Sequence, residues 1–244
     1  MNRILVGSSN NEIGILTKDK IVINITSDTN ILIEKSKIKN YVFNVKESIV
    51  NILSINEPGF DVSYEINIFK GNVSFSGINF HGNVNINVNL NKKDSSVLIH
   101  NSVIAIKKTK YDITVNHNAK KTISNIYNNG ITKDYGTIIF NVSSLVPKKS
   151  TNCYVNQDSK IITLNKTNDN EINPVLLIDE YESEARHAAF IGNFDNDKLF
   201  YLMSRGLSKK DATNLLIDGL LIGTLDVCFN EKEILKKKFE KEWR

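Results

Sequence analysis

The sequence predicts a mainly β chain whose short strands give way, near its end, to a small α-helical unit. Apolar and polar residues alternate through the middle of the chain, which is the period of a half-buried strand. A weak repeat, KGNVSF at Lys70–Phe75 echoed by HGNVNI at His81–Ile86, sets glycines between strands of similar length. From Asp195 the apolar spacing lengthens to three and four residues, the period of a helix.

The strands follow in order. DVSYEINIF puts Val62, Tyr64, Ile66 and Ile68 on one face and Ser63, Glu65 and Asn67 on the other. NVNINVNLN sets Val84, Ile86, Val88 and Leu90 against asparagines. The pattern recurs more loosely at Val97–Ile99, Ile113–Val115, Ile138–Val142 and Ile161–Leu164. Branched aliphatics fill nearly all the inward positions, as a pleated surface favours. Two architectures fit: a solenoid that stacks coil on coil, and an antiparallel sandwich or barrel. Only Asn129-Gly130 suits a tight hairpin turn, a scarcity that leans toward the solenoid.

The helices follow. In DNDKLFYLMSRGL, Leu199, Leu202 and Met203 form an apolar face, Asp195 or Asn196 can cap the start, and Gly206 stands just past the end. SKKDATNLLIDGLL opens with Ser208 and Asp211 at capping-box spacing and carries Ala212, Leu215, Leu216 and Leu220 as its expected buried stripe. Leu235, Phe239 and Trp243 lie four apart, a third amphipathic helix. The expected division is a β core over 1–192 and a helical unit over 193–244, whose apolar faces need a partner surface.

With 244 residues, 41% of them hydrophobic, the chain can bury one large β core and an appendage. A net charge of +4 with scattered lysines does not mark a nucleic-acid binder, and Lys236-Lys237-Lys238 reads as a solvated helix face. Cys153 and Cys228 form no Cys-x-x-Cys pair, which fits a reducing compartment. With no apolar run long enough to span a membrane and no signal-peptide pattern, the expectation is a soluble cytoplasmic protein. Abundant Asn, Ile and Lys read as compositional bias, so a single Asn carries little weight. There is no Gly-rich phosphate loop, Gly-x-Ser-x-Gly elbow or His-Glu-x-x-His, and the acidic run DEYESEARH reads as a solvated loop. His81, His100, His117 and His187 stand without companion ligands in the sequence.

Two segments carry a family likeness. His117 is followed by Thr122-Ile123-Ser124, and Gly136 opens a strand. Then come Pro174-Val175-Leu176, an acidic run, Arg186-His187-Ala188-Ala189, and an ungapped LFYLMSRG at Leu199–Gly206. Over roughly its second half the chain resembles the SufB/SufD family, scaffold proteins of the SUF iron–sulfur cluster machinery. The resemblance implies a right-handed parallel β-helix with C-terminal helices over its last coil. It implies no catalytic activity and no intrinsic cofactor, only a transient cluster at the interface with SufB. The implied partners are the SufC ATPase, docked on the helices through Phe200, Tyr201, Arg205, Gly206, Leu207 and Leu216, and SufB, paired through the β-helix. ATP-driven dimerisation of SufC would pull on those helices. Where SufB has a cluster-assembly Cys this chain has Ile178, and where SufB tends to have Glu it has Ala188. Neither side chain ligates iron or sulfide, so the likeness is to SufD. His187 matches the interface histidine implicated in cluster assembly on the SufD side. Strand patterning from about Ile13 implies a form shortened ahead of the β-helix. The alternatives are a self-paired SufBD-type homodimer with SufC, and a β-solenoid carbohydrate-active enzyme.

Overall fold

The computed structural model describes residues 2–7, 15–17, 20–34, 36–164, 169–223, 225, 232, 235–237 and 239. Trp243 and Cys228 lie outside them. The strands are β1 (Asn2–Gly7), β2 (Ile15–Thr17), β3 (Lys20–Ile25), β4 (Thr29–Glu34), β5 (Asn40–Ile55), β6 (Val62–Asn79) and β7 (Val84–Leu90). They continue with β8 (Ser96–Ala105), β9 (Lys108–His117), β10 (Ile123–Thr132), β11 (Thr137–Val146), β12 (Tyr154–Thr163), β13 (Glu171–Ile178) and β14 (Glu184–Gly192). Two helices follow, α1 (Asn196–Ser204) and α2 (Lys209–Leu221).

The strands stack as a β-solenoid. One wall runs β3, β5, β6, β7, β9, β11, β13, and the other runs β1, β4, β5, β6, β8, β10, β12, β14. Every pairing is parallel except β2 with β3. Strands β5 and β6 belong to both walls because each turns a corner without breaking. Glu47 and Lys70 take left-handed backbone there, and Gly71 follows at φ 138°. A Cβ on Gly71 would lie 2.4 Å from the Ser48 carbonyl oxygen, so the corner requires glycine. Gly82 meets Phe60 in the same way, 2.6 Å from its carbonyl oxygen. The glycine repeat seen in the sequence is thus a repeat of coil corners. Asn129-Gly130 is not a hairpin turn. It lies inside β10, where a Cβ on Gly130 would meet Ile138 at 2.6 Å.

The inward rows are those the alternation marks. Val62, Tyr64, Ile66 and Ile68 are buried, as are Val84, Ile86, Val88 and Leu90. Aromatic rings fill the widest part: Tyr41 stacks on Tyr64 at 5.4 Å, and Tyr64 meets Phe75 edge-on at 4.9 Å. The buried Tyr64 hydroxyl is satisfied by Ser54 at 2.6 Å and Asn56 at 2.9 Å. Each fully buried aliphatic or aromatic side chain contributes about 1.5–3 kcal/mol.

Asparagine proves to be architectural. On one outer wall Asn24, Asn44, Asn67, Asn89 and Asn116 form an amide ladder, each Nδ2 donating to the Oδ1 one coil back at 2.8, 3.0, 2.8 and 2.9 Å. Coil spacing equals strand spacing, about 4.8 Å, which lets identical amides chain.

The helices do not cover the last coil. α2 buries Ala212, Ile217 and Leu221 against the flank of the β8–β10–β12 wall. Ile78, Ile104, Ile131 and Ile162, from four successive coils, join that cluster. Leu235 and Phe239 extend it, with Phe239 5.2 Å from the Phe80 ring. The Ser102 hydroxyl donates 2.6 Å to the Leu221 carbonyl and satisfies the helix end from the wall. The buried stripe is Ala212–Ile217–Leu221: of the expected residues Ala212 is buried and Leu220 packs half-buried on the same cluster, whereas Leu215 is 52% exposed and Leu216 only half-buried. The physical reason is geometric. A flank built of strand ends takes a narrower, shifted face of the helix than a flat cap would.

Candidate functional site

The last coil is the open end of the stack. Strand β13 alternates exposed and half-buried residues, and β14 is exposed through Ile191. Register fixes which side chains look inward. Gln157 pairs with His187, and Ile126 lies beneath Gln157. Arg186, by contrast, faces out, where its Nε donates to Asn156 Oδ1 at 2.9 Å and its guanidinium stands 5.4 Å over the Tyr154 ring. His187 thus shares the lumen-facing row of β14 but is exposed, because no coil lies above it. Ile178 ends β13 and packs on the cluster of Val146, Cys153 and Val155.

The free edge has a definite polarity. The Glu184 N–H donates to the Cys153 carbonyl at 2.9 Å, so alternate residues Glu184, Arg186, Ala188 and Phe190 point their N–H groups at β12. Those of Ala185, His187 and Ala189 point at the open edge.

His117 has a different role. It is wholly buried, with Nδ1 2.7 Å from Thr122 Oγ1 and Nε2 2.9 Å from Ser124 Oγ. The Thr122 hydroxyl donates its single proton to the Ala119 carbonyl at 3.1 Å, so it accepts from His117 Nδ1–H. The neutral tautomer with the proton on Nδ1 follows, and Nε2 accepts from Ser124. Burial pushes the imidazole pKa down to about 4, against the smaller opposing effect of a hydrogen bond with the Thr122 backbone. Cys153 joins the cluster, its Sγ 3.2 Å from Thr122 Oγ1 and 3.1 Å from the Ser150 carbonyl. The His117–Thr122–Ser124 bonds close one turn and the Thr122–Cys153 contact ties it to the next coil, so the stretch presents no free ligand.

The helical residues expected to dock a partner lie elsewhere. Asp195 caps α1, accepting from Asp197 N at 2.9 Å, and Gly206 at φ 94° closes it. No residue of α1 is buried. Phe200 is 74% and Tyr201 57% exposed, and the Arg205 guanidinium lies 5.3 Å over the Tyr201 ring. Leu207 and Leu216 are half-buried. Met203, on the apolar face expected of α1, is exposed too, as is Leu215, expected in the buried stripe of α2. No hydrogen bond or ring contact joins His187 to the helices among the described residues. Those residues also hold no group of three or more His, Cys, Asp or Glu side chains arranged to bind a metal ion, and no helix long and apolar enough to cross a membrane.

Comparison with known proteins agrees with this architecture. The family model described as SUF system FeS cluster assembly, SufBD core domain, matches residues 65–220. The iron–sulfur cluster assembly protein SufD of Bacillus subtilis is 36% identical over 105 residues, 43% of this chain and 24% of that protein. An iron–sulfur cluster assembly SufBD family protein of Pyrococcus horikoshii is 33% identical over 88 residues, 36% of this chain and 19% of its own length. One of Staphylococcus saprophyticus is 26% identical over 105 residues, 43% and 23% respectively. The matched stretches thus make up no more than a quarter of these relatives.

Proposed function

This chain belongs to the SufBD family of the SUF iron–sulfur cluster assembly system, and from that premise we propose that it is a SufD-like scaffold subunit without catalytic activity of its own. The observation that carries the proposal is the uncapped last coil. An exposed parallel edge is a template for another strand unless it is covered. Here it presents His187, the residue matched to the family's interface histidine, beside a row of free backbone N–H and C=O groups. A neutral imidazole ligates iron, and a nascent cluster held as cargo would draw its other ligands from the partner that closes the edge.

In this reading the second β-helix is SufB, and the exposed surface of Phe200, Tyr201, Met203 and Arg205 docks the SufC ATPase. Aromatic and Arg side chains left uncovered on one helix are the composition of an interface hot spot. Two surfaces on one rigid stack let a nucleotide-driven pull on the helices reach the paired edge. The family's chemistry is that of a reducing compartment, in keeping with a cytoplasmic setting.

Co-purification separates the pairings. Recovery with SufC and a cysteine-bearing second β-helix supports the SufD role; recovery as a homodimer with SufC alone supports the self-paired form. Anaerobic cluster reconstitution of the assembled complex is then compared between wild type and His187→Ala. The expected result is a loss of most of the cluster yield with the complex intact. Unchanged yield would remove His187 from the chemistry.

A further inference from the structure

Below His187 a buried amide is only half satisfied. Gln157 is 1% exposed. Its Nε2 lies 2.9 Å from Ser144 Oγ and donates to the Val175 carbonyl at 3.3 Å. The Val175 carbonyl can only accept, so the amide nitrogen belongs on that side and the orientation of the group is settled. Oε1 is then left on the other side, buried and with no partner. A buried acceptor without a donor is destabilising. In the lumen-facing row the neighbour one coil below is Ile126, which has nothing to donate. The neighbour one coil above is His187, at the strand spacing of about 4.8 Å. Among the described residues it makes no hydrogen bond.

We propose that Gln157 is a positioning residue for His187: its Oε1 accepts one imidazole N–H, which fixes the ring's tautomer and turns the other ring nitrogen out of the open coil. This rests on the reading of the last coil given above. A histidine that ligates a metal ordinarily donates its second N–H to an acceptor behind it, and that acceptor sets which nitrogen is free. Gln157 occupies that place. The surroundings suit a neutral donor–acceptor pair. The lumen-facing residues of β13 are Ile172, Pro174, Leu176 and Ile178; those beside His187 on β14 are Ala185 and Ala189. None titrates. The charged Glu184 and Arg186 lie on the outer side of β14, and Ser159 and Ser144 complete the polar lining.

The test uses the full chain, isotopically labelled, with the His187 ring assigned by its loss in His187→Ala. Long-range proton–nitrogen spectra report the tautomer. The expected result is one dominant His187 tautomer in the wild type and a mixture in Gln157→Met, which keeps the length and removes the acceptor. Gln157→Glu restores an acceptor and adds charge. It should restore the single dominant tautomer. A merely structural glutamine would change the melting temperature and leave these signals alone. The same tautomer mixture in all three proteins overturns the proposal. If Gln157→Met does not fold, the wild type and Gln157→Glu decide it alone. A fixed tautomer combined with undiminished cluster yield in His187→Ala would instead sink the functional reading of the histidine while leaving the Gln157 contact in place.

Discussion

At His117 the protein holds a titratable ring in the wrong place for titration. The imidazole is buried and neutral, and its pKa falls from the ordinary 6.5 to about 4. Between those values the unfolded chain binds a proton that the folded chain refuses. Stability from this group is therefore complete above about pH 6.5, is lost as pH falls toward 4, and changes no further below that. The full span is about 3 kcal/mol at 1.36 kcal/mol per pKa unit. Urea denaturation of wild type and His117→Gln at pH 7, 5.5 and 4.5 checks it. The variant should be weaker at pH 7, with the difference between the two shrinking steadily toward pH 4.5. A constant difference would show that the ring does not resist protonation. Residue by residue, the core was the easiest feature to read, because alternation alone separates Val62, Tyr64, Ile66 and Ile68 from their neighbours. The polar roles were not. The row Asn24–Asn44–Asn67–Asn89–Asn116 is hidden in a chain rich in asparagine, and only spacings of one coil, 20 to 27 residues, distinguish it. Gln157 gives no local signal at all, since its importance lies in what stands one coil above and below.

Among the elements, α1 and α2 divide two tasks. α2 is anchored by Ala212, Ile217 and Leu221 and by the Ser102 hydrogen bond to its final carbonyl. Ser102→Ala leaves that buried carbonyl unsatisfied and is expected to cost about 1–3 kcal/mol, measured as a fall in the urea midpoint at unchanged slope. No change would mean that water reaches the helix end. No side chain of α1 is fully buried, so substitutions on its exposed face should separate binding from stability. Phe200→Asp with Tyr201→Asp is expected to weaken SufC binding by at least a hundredfold, about 2.7 kcal/mol, while the melting temperature moves by no more than about a degree or two. Retained binding would move the docking surface elsewhere. The caps of both helices were legible because capping is local chemistry between residues two or three apart. The buried face of α2 was not, because several leucines at helical spacing define more than one stripe and the receiving surface chooses among them. A clue to that surface does exist in the chain. At Ile161-Ile162 and Val103-Ile104-Ala105 the alternation gives way to consecutive apolar residues, the mark of strand ends buried on both sides.

Across the whole molecule, a solenoid has two ends, and the described helices cover a flank instead of the later one. The last coil therefore stays a free edge, and the backbone there can be tested apart from the side chains. The Ala188 N–H points at β12 and that of Ala189 at the open side, by the alternation that Glu184 N–H sets. Proline removes one N–H and is tolerated on an edge strand where that N–H faces outward. Ala189→Pro should thus keep the ladder to β12, shift the melting temperature only slightly, and abolish pairing with a second β-helix. Ala188→Pro breaks the internal ladder and should fray the coil, seen as faster amide exchange in β14, whether or not a partner is present. The pair of variants reads out by size-exclusion chromatography with light scattering and by hydrogen exchange. If the Ala189→Pro protein still pairs, the partner does not add a strand to this edge, and the assembly must form through side chains of the flat walls. If both variants behave alike, the register of β14 on β12 is not the one that places His187 above Gln157.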